Sequence, residues 1–310
     1  MSIVEKAAEK LRTLQPVERM ELPQVEEEVL TTHGATTVER LQEQHRHVSR
    51  DPDGETVVHL DEQLLVRAGL LPSEDEASDR LDNEVRRAKL PLLNNVVGKS
   101  TNAPEFAERI VVTSAVPGEG KTFTAFNLAL SLAREPDFEV LLVDADIPKS
   151  DITRTLGLDA CPGLMDVLTD EWRRPADAIL RTDVPNLMVL PAGKRHPLAA
   201  ELFGGRRMGY VLEELGASPR QRLLVFDSSP LLATPESRVL TAQMGQVVVV
   251  VAAGHTGRHE VKAALAGLGG GSQYVGLILN KSRLPAIENP YYGYYGQHGQ
   301  PTHHDRLQGT

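Results

Sequence analysis

Six short apolar runs punctuate the second two thirds of the chain, at 109–114, 139–143, 187–190, 222–226, 246–252 and 274–279. They are close to continuously apolar rather than alternating, which is how a strand reads when both faces of its sheet are covered. Helical patterns lie between most of them. Strands alternating with helices imply βαβ units, so the expected fold is α/β, with a mostly parallel central sheet and helices on both faces. In such a sheet a ligand sits at the carboxyl ends of the strands.

The remaining segments read differently. Ile3, Ala7, Leu11 and Leu14 fall at helical spacing among charges, so residues 1–20 are expected to hold an amphipathic helix that docks on its own domain or on a partner. Residues 21–75 are polar and acidic, with QVEEEV and the turn signal DPDGET, and read as a connector with partial helix. SEDEASDRLDNEVRRAK, at 73–89, places acids first and bases last, as the helix dipole favours, and Pro91 is expected to end that helix. The main domain is then expected over 76–286. A tail rich in Tyr, Gly, His and Gln follows at 287–310 and is expected to be flexible. No internal repeat is visible.

The richest chemistry follows the first run. RIVVTS leads into AVPGEGKT at 115–122, which fits the phosphate-loop pattern G-x-x-x-x-G-K-[ST] with Ala115 in the first glycine position. This predicts a P-loop NTPase fold. Gly118 and Gly120 let backbone N–H groups approach an anion without an intervening Cβ, and the helix that follows aims its positive end at the same place. Lys121 reaches the outer phosphates, and the Thr122 hydroxyl is suited to Mg²⁺. The candidate nucleotide-binding residues are Pro117, Gly118, Glu119, Gly120, Lys121, Thr122 and Phe123. A glycine-rich turn that binds nothing is the plain alternative. Two further apolar runs end in carboxylates: VLLVDADIP in Asp144 and Asp146, and LLVFDSSP in Asp227. Asp227 suits a direct or water-mediated Mg²⁺ contact. Near a metal-bound triphosphate, one of Asp144 and Asp146 can orient metal-bound water while the other accepts a proton from a hydroxyl. Asp146 capping the next helix is the competing reading.

Composition trims the function classes. The net charge of −10 argues against general nucleic-acid binding. The longest apolar run, VVVVVAA at 247–253, is far short of the ~20 residues that span a bilayer, and no signal-like segment opens the chain. A single cysteine, Cys161, excludes a disulfide framework and an ordinary iron–sulfur site, and fits a reducing cytoplasm. His298, His303 and His304 lack accompanying ligands and read as a solvated tail rather than a metal site. Arg206 and Arg207 suit either phosphate contact or an exposed helix start.

Together these segments resemble the Walker A, A′ and B motifs of the bacterial tyrosine autokinases, the BY-kinases. Matching segments are VLPAGKRHPLAAELF at 189–203, GLILNK at 276–281 and the tail NPYYGYYGQ, which holds four of the six tyrosines. SIVEKAAEKLRTL and RRAKLPLL resemble the stand-alone branch associated with exosortase-type exopolysaccharide loci. The resemblance covers roughly 76–300 and implies an ATP- and Mg²⁺-dependent protein-tyrosine kinase. Lys121, Asp144 and Asp146 would be catalytic, Thr122, Asp144 and Asp227 would hold the metal, and Asn280 would lie near the adenine. The implied acceptors are Tyr291, Tyr292, Tyr294 and Tyr295, phosphorylated in trans. The implied partners are further copies of the chain in a ring, an inner-membrane polysaccharide co-polymerase and a tyrosine phosphatase. The implied place is the cytoplasm, at the inner membrane through a partner, where such kinases regulate exopolysaccharide synthesis or export.

Two departures stand out. Pro148 replaces the arginine of the A′ pattern D-x-D-x-R, leaving Lys149 as the nearest cation. The ring-associated E-x-x-R-x-x-R pattern begins at Glu84 and Arg87 but meets Leu90 at its second arginine. The competing family is the partitioning and septum-positioning ATPases, nucleotide switches with water as acceptor. Their loop carries a lysine where this chain has Val116. An interaction protein whose nucleotide merely orders the fold is the third reading.

Overall fold

The structure, a computed structural model, describes residues 48–50, 56–73, 75–268 and 273–282. Among them nine strands form one sheet: β1 Val48–Arg50, β2 Thr56–Val58, β3 Arg109–Ser114, β4 Phe138–Ala145, β5 Leu180–Thr182, β6 Leu187–Leu190, β7 Gln221–Ser228, β8 Gln246–Ala252 and β9 Tyr274–Asn280. Their order is β1-β2-β5-β6-β4-β7-β3-β8-β9. The pairings from β6 through β9 are all parallel, whereas β1 with β2 and β5 with β6 are antiparallel. The six expected strands are all present, within two residues at each end.

The helices are α1 Glu62–Arg67, α2 Asp75–Val96, α3 Lys121–Ala133, α4 Asp151–Thr155, α5 Leu164–Thr169, α6 Ala199–Gly204, α7 Arg206–Gly216, α8 Pro235–Thr241 and α9 Arg258–Ala266. Alternate residues of the central strands feed two cores, one on each face of the sheet. Val111, Leu141, Leu224 and Val249 pack with α5, α6 and α7. Ile110, Val112, Leu142 and Val225 pack with α1, α3 and α4. Because β7 lies between β4 and β3, the carboxylates ending β4 and β7 stand in register beside the loop after β3, with Asp144 opposite Asp227.

Three expectations need correction. Strands β1, β2 and β5 have three residues each, too few for a periodic pattern to show. The sheet also reaches upstream of residue 76. Strand β2 pairs in parallel with β5, and Val58, Leu65 and Leu70 are buried in the core, so residues 56–71 belong to the domain rather than to a connector. A surface chain of hydrogen bonds ties this segment down, from Ser49 Oγ to His59 Nε2 at 2.7 Å and from His59 Nδ1 to Asp183 at 3.3 Å. Finally, Pro91 lies inside α2 and does not end it. Tertiary contacts hold the following turns in place. Leu92 is buried, and Lys89 donates to the Ser131 carbonyl at 2.8 Å and pairs with Glu135 at 2.6 Å. Asn95 donates to Gln246 at 2.8 Å. The expected N-terminal helix and the tyrosine tail lie outside the described residues.

Candidate active site

Strand β3 ends at Ser114, Ala115 after it is buried in the core, and the chain then turns through Gly118 and Gly120, both at positive φ (84° and 93°). Only glycine fits at 120, since a Cβ there would stand 2.1 Å from the Asn280 amide nitrogen. Nothing lies within 4 Å of the corresponding point at Gly118. Helix α3 starts at Lys121 with no side-chain cap, so its first N–H groups face the loop's concavity. This is the geometry of an anion cradle.

The Glu119 side chain does not face that cradle. It is 1% exposed and turned into the fold, where Oε2 accepts from Val116 N at 2.7 Å. Its Oε1 accepts from Ala252 N at 3.2 Å and from the Thr256 hydroxyl at 2.5 Å. Only the Glu119 backbone is left for a nucleotide. Asn280 supports the same loop from the end of β9: its amide donates to the Glu119 carbonyl at 2.8 Å, and its oxygen accepts from Lys281 N. Lys281 Nζ donates to the Gly118 carbonyl at 2.7 Å. The loop is therefore braced before any ligand arrives. Glu119→Ala strands two backbone donors and a hydroxyl, a loss of roughly 2–4 kcal/mol. A calorimetric melt is expected to fall by about 5–10 °C, with weaker binding of a fluorescent ADP. An unchanged melt would remove Glu119 from this role.

Lys121 is 6% exposed and lies close to Asp146 and Asp227. Its Nζ is 2.5 Å from Asp146 Oδ2 and 3.3 Å from the Thr122 hydroxyl. Burial works against its charge, but the negative charges of Asp227 and Asp146 outweigh burial and hold its pKa above the ordinary lysine value. The second Asp146 oxygen accepts from Ser229 Oγ at 2.8 Å, and the Ser229 carbonyl accepts from Thr113 on β3 at 2.9 Å. Asp146 does not cap the next helix. Asp144 takes the place of a cap, accepting from Thr153 N at 2.8 Å and Thr153 Oγ1 at 2.7 Å. The same hydroxyl accepts from Ala192 N, which joins the PAG segment, Pro191–Gly193, to the site. Thr153 belongs to the site although nothing in its local sequence marks it, and Ser229 and Lys281 join it from the segments LLVFDSSP and GLILNK without having been singled out there.

Asp227 is fully buried, and neither of its oxygens has a hydrogen-bond partner of good geometry, although the Thr122 hydroxyl is near enough to favour its charged form. Burial pushes its pKa up to about 8, with Lys121 opposing and Asp144 adding to the rise. Burial likewise raises Asp144 to about 6 against its two bonds from Thr153, and its Oδ1 is unpartnered. Buried carboxylate oxygens without donors are expensive unless a cation joins them. Among the described residues no three His, Cys, Asp or Glu side chains converge as a metal site. A hard divalent ion here would thus share its coordination between Thr122, Asp227 and phosphate oxygens, the usual way Mg²⁺ is held.

Beside the loop lies a cavity of 320 Å³ reached by Lys121, Thr122 and Phe123, and also by Lys149. Arg207 is elsewhere, donating to the carbonyls of Val167, Asp170 and Arg173, so it does not serve phosphate. Val116 packs against the core.

No family model matches the chain. Over 188 residues it is 32% identical to the tyrosine-protein kinase YwqD of Bacillus subtilis strain 168, covering 60% of this chain and 77% of that protein. It is 31% identical over 190 residues to the tyrosine-protein kinase CpsD of Streptococcus agalactiae, covering 61% and 81%. The kinase domain of the Escherichia coli tyrosine kinase ETK shares its fold, with a TM-score of 0.59 at 23% identity, over 74% of this chain and 83% of that one.

Proposed function

The chain belongs to the bacterial tyrosine-protein kinase family, and on that premise we propose that it is an ATP-dependent autokinase. Its acceptors are the tail tyrosines Tyr291, Tyr292, Tyr294 and Tyr295, phosphorylated by a neighbouring copy. The observation that supports this best is the buried Lys121–Asp146–Ser229 chain standing beside the partnerless Asp227 at the mouth of an open anion cradle.

The protein groups divide the work. The loop N–H groups and Lys121 hold the outer phosphates and meet the charge that develops on them. Asp146 receives the phenolic proton, since a phenol of pKa ≈ 10 needs a base at neutral pH. Asp144, anchored by Thr153, stands behind it. Mg²⁺, held by Thr122 and Asp227, would supply charge neutralisation at the phosphates. The partitioning-type reading loses its footing at Val116, an apolar side chain packed on the core where that chemistry needs a lysine.

Assembly and setting follow from the same reading. Glu84 and Arg87 are exposed one turn apart on α2, with Leu90 53% exposed beyond them, a face free to meet another copy. No described helix is long and apolar enough to cross a membrane. We place the kinase at the inner face of the membrane through a polysaccharide co-polymerase, with a tyrosine phosphatase reversing its action in the control of exopolysaccharide synthesis or export. Incubation with Mg-ATP followed by anti-phosphotyrosine detection tests the activity: labelled chain supports it, and phosphate release without label supports the switch reading instead.

A further inference from the structure

The cavity beside the phosphate loop has a wall made by residues far upstream of it, Ala68, Gly69 and Leu70, which turn out of the end of α1. Lys149, from the segment that follows Asp146, and Asp151 and Thr155, from α4, line the same cavity. Lys121, which lines the cavity, stands 2.5 Å from Asp146. Asn280 and Lys281 brace the loop from its other side and do not reach this cavity.

The wall is built rather than incidental. Leu70 is buried at 4% exposure, and its N–H donates to the Leu65 carbonyl at 2.8 Å. Its carbonyl accepts from Asn127 Nδ2 at 2.8 Å. Asn127 belongs to α3, the helix that begins with Lys121, so one rigid element sets both the wall and the catalytic lysine. Gly69 turns at φ +70° with no atom within 4 Å of where a Cβ would be, and Ala68 is exposed beside it. The wall is therefore uncharged and narrow in side chain, while the rest of the lining carries both the cation Lys149 and the carboxylate Asp151. A volume of 320 Å³ falls within the roughly 300–1,000 Å³ of small-ligand pockets.

We propose that the Ala68–Leu70 turn is one wall of the acceptor subsite, against which the incoming tyrosine ring lies while its hydroxyl points at Asp146. This rests on the kinase reading above. In the step, the phenolic O–H gives its proton to the Asp146 carboxylate and the phenolic oxygen bonds to the γ-phosphorus. The bond from that phosphorus to the bridging oxygen breaks, and its electron pair leaves on ADP beside Lys121. Ala68 is a positioning residue: it shapes where the ring lies and takes no part in the bonds exchanged.

The test uses the full chain, Mg-ATP, and a synthetic peptide of residues 286–300 as acceptor. Ala68→Phe fills the space beside the turn from an exposed position, and Ala68→Ser is the size control. The proposal expects Ala68→Phe to raise the peptide KM at least tenfold. The affinity for fluorescent ADP, measured without turnover, stays within twofold, the melt is unchanged, and Ala68→Ser matches the parent. An unchanged peptide KM overturns it. So does an equal loss of ADP affinity, which would assign the wall to the nucleotide. A parent chain that hydrolyses ATP but labels neither peptide nor tail ends the kinase reading itself, and that result is seen before any variant is made.

Discussion

Lys121→Met is expected to leave a folded chain whose phosphotyrosine formation falls by at least about 10³-fold, or about 4 kcal/mol in the barrier. The size follows from where the ammonium sits. It is buried, 2.5 Å from Asp146, and kept charged by Asp227 and Asp146, so its charge is fixed in a place water does not screen. Met keeps most of the aliphatic stem and its packing. The fold survives because Asp146 retains the Ser229 hydroxyl. Single-turnover transfer measured beside circular dichroism checks both halves. Undiminished transfer in a purified, folded variant would refute the site assignment.

Replacing Tyr291, Tyr292, Tyr294 and Tyr295 together with Phe is expected to remove nearly all autophosphorylation while ATP hydrolysis continues. Four tyrosines within five positions match neither a helical stripe nor strict strand alternation, and Gly293 and Gly296 interrupt either element. Phe keeps the aromatic surface and deletes only the acceptor hydroxyls. Each phosphate adds about −1.5 to −2 charges, and several on adjacent residues repel one another. Phosphorylation is therefore expected to loosen tail docking and any ring the chain forms, and the Phe variant is expected to stay assembled in Mg-ATP. Light scattering of the two proteins before and after incubation reads this directly. Equal label in variant and parent would rule the tail out as acceptor.

The parts of this site legible in the sequence are those whose partners are close in sequence or whose chemistry has a spacing. The loop at 115–122 announces itself because strand, glycines, lysine and threonine must follow one another. Strand β8 announces itself as VVVVVA. Asp144, Asp146 and Asp227 were visible as carboxylates closing apolar runs, but their division of labour was not. Which one pairs with Lys121 depends on Ser229 and Thr153, which reach the carboxylates only through the strand order β4-β7-β3. Glu119 looked like a nucleotide contact because it sits between two loop glycines. Its side chain instead serves Ala252 and Thr256, 133 and 137 residues further on, and no local pattern encodes such a bond. The Ala68–Leu70 wall is hidden for a related reason: a backbone turn leaves no periodic trace, and only its packing on α3 gives it a place. Pro91 stays inside α2 although local preference ends a helix there, because Lys89 holds the turn before it, and Leu92 and Asn95 the turns after it, to the core.

On the reading proposed above, this chain moves the γ-phosphate of ATP onto tyrosines of its own tail. Mass spectrometry of the full chain after incubation with Mg-ATP, mapping every phosphorylated residue, tests it most directly. Phosphate is expected to concentrate on Tyr291, Tyr292, Tyr294 and Tyr295. Phosphate found instead on Tyr210 or Tyr274, or released to solution with no tyrosine modified, would contradict it.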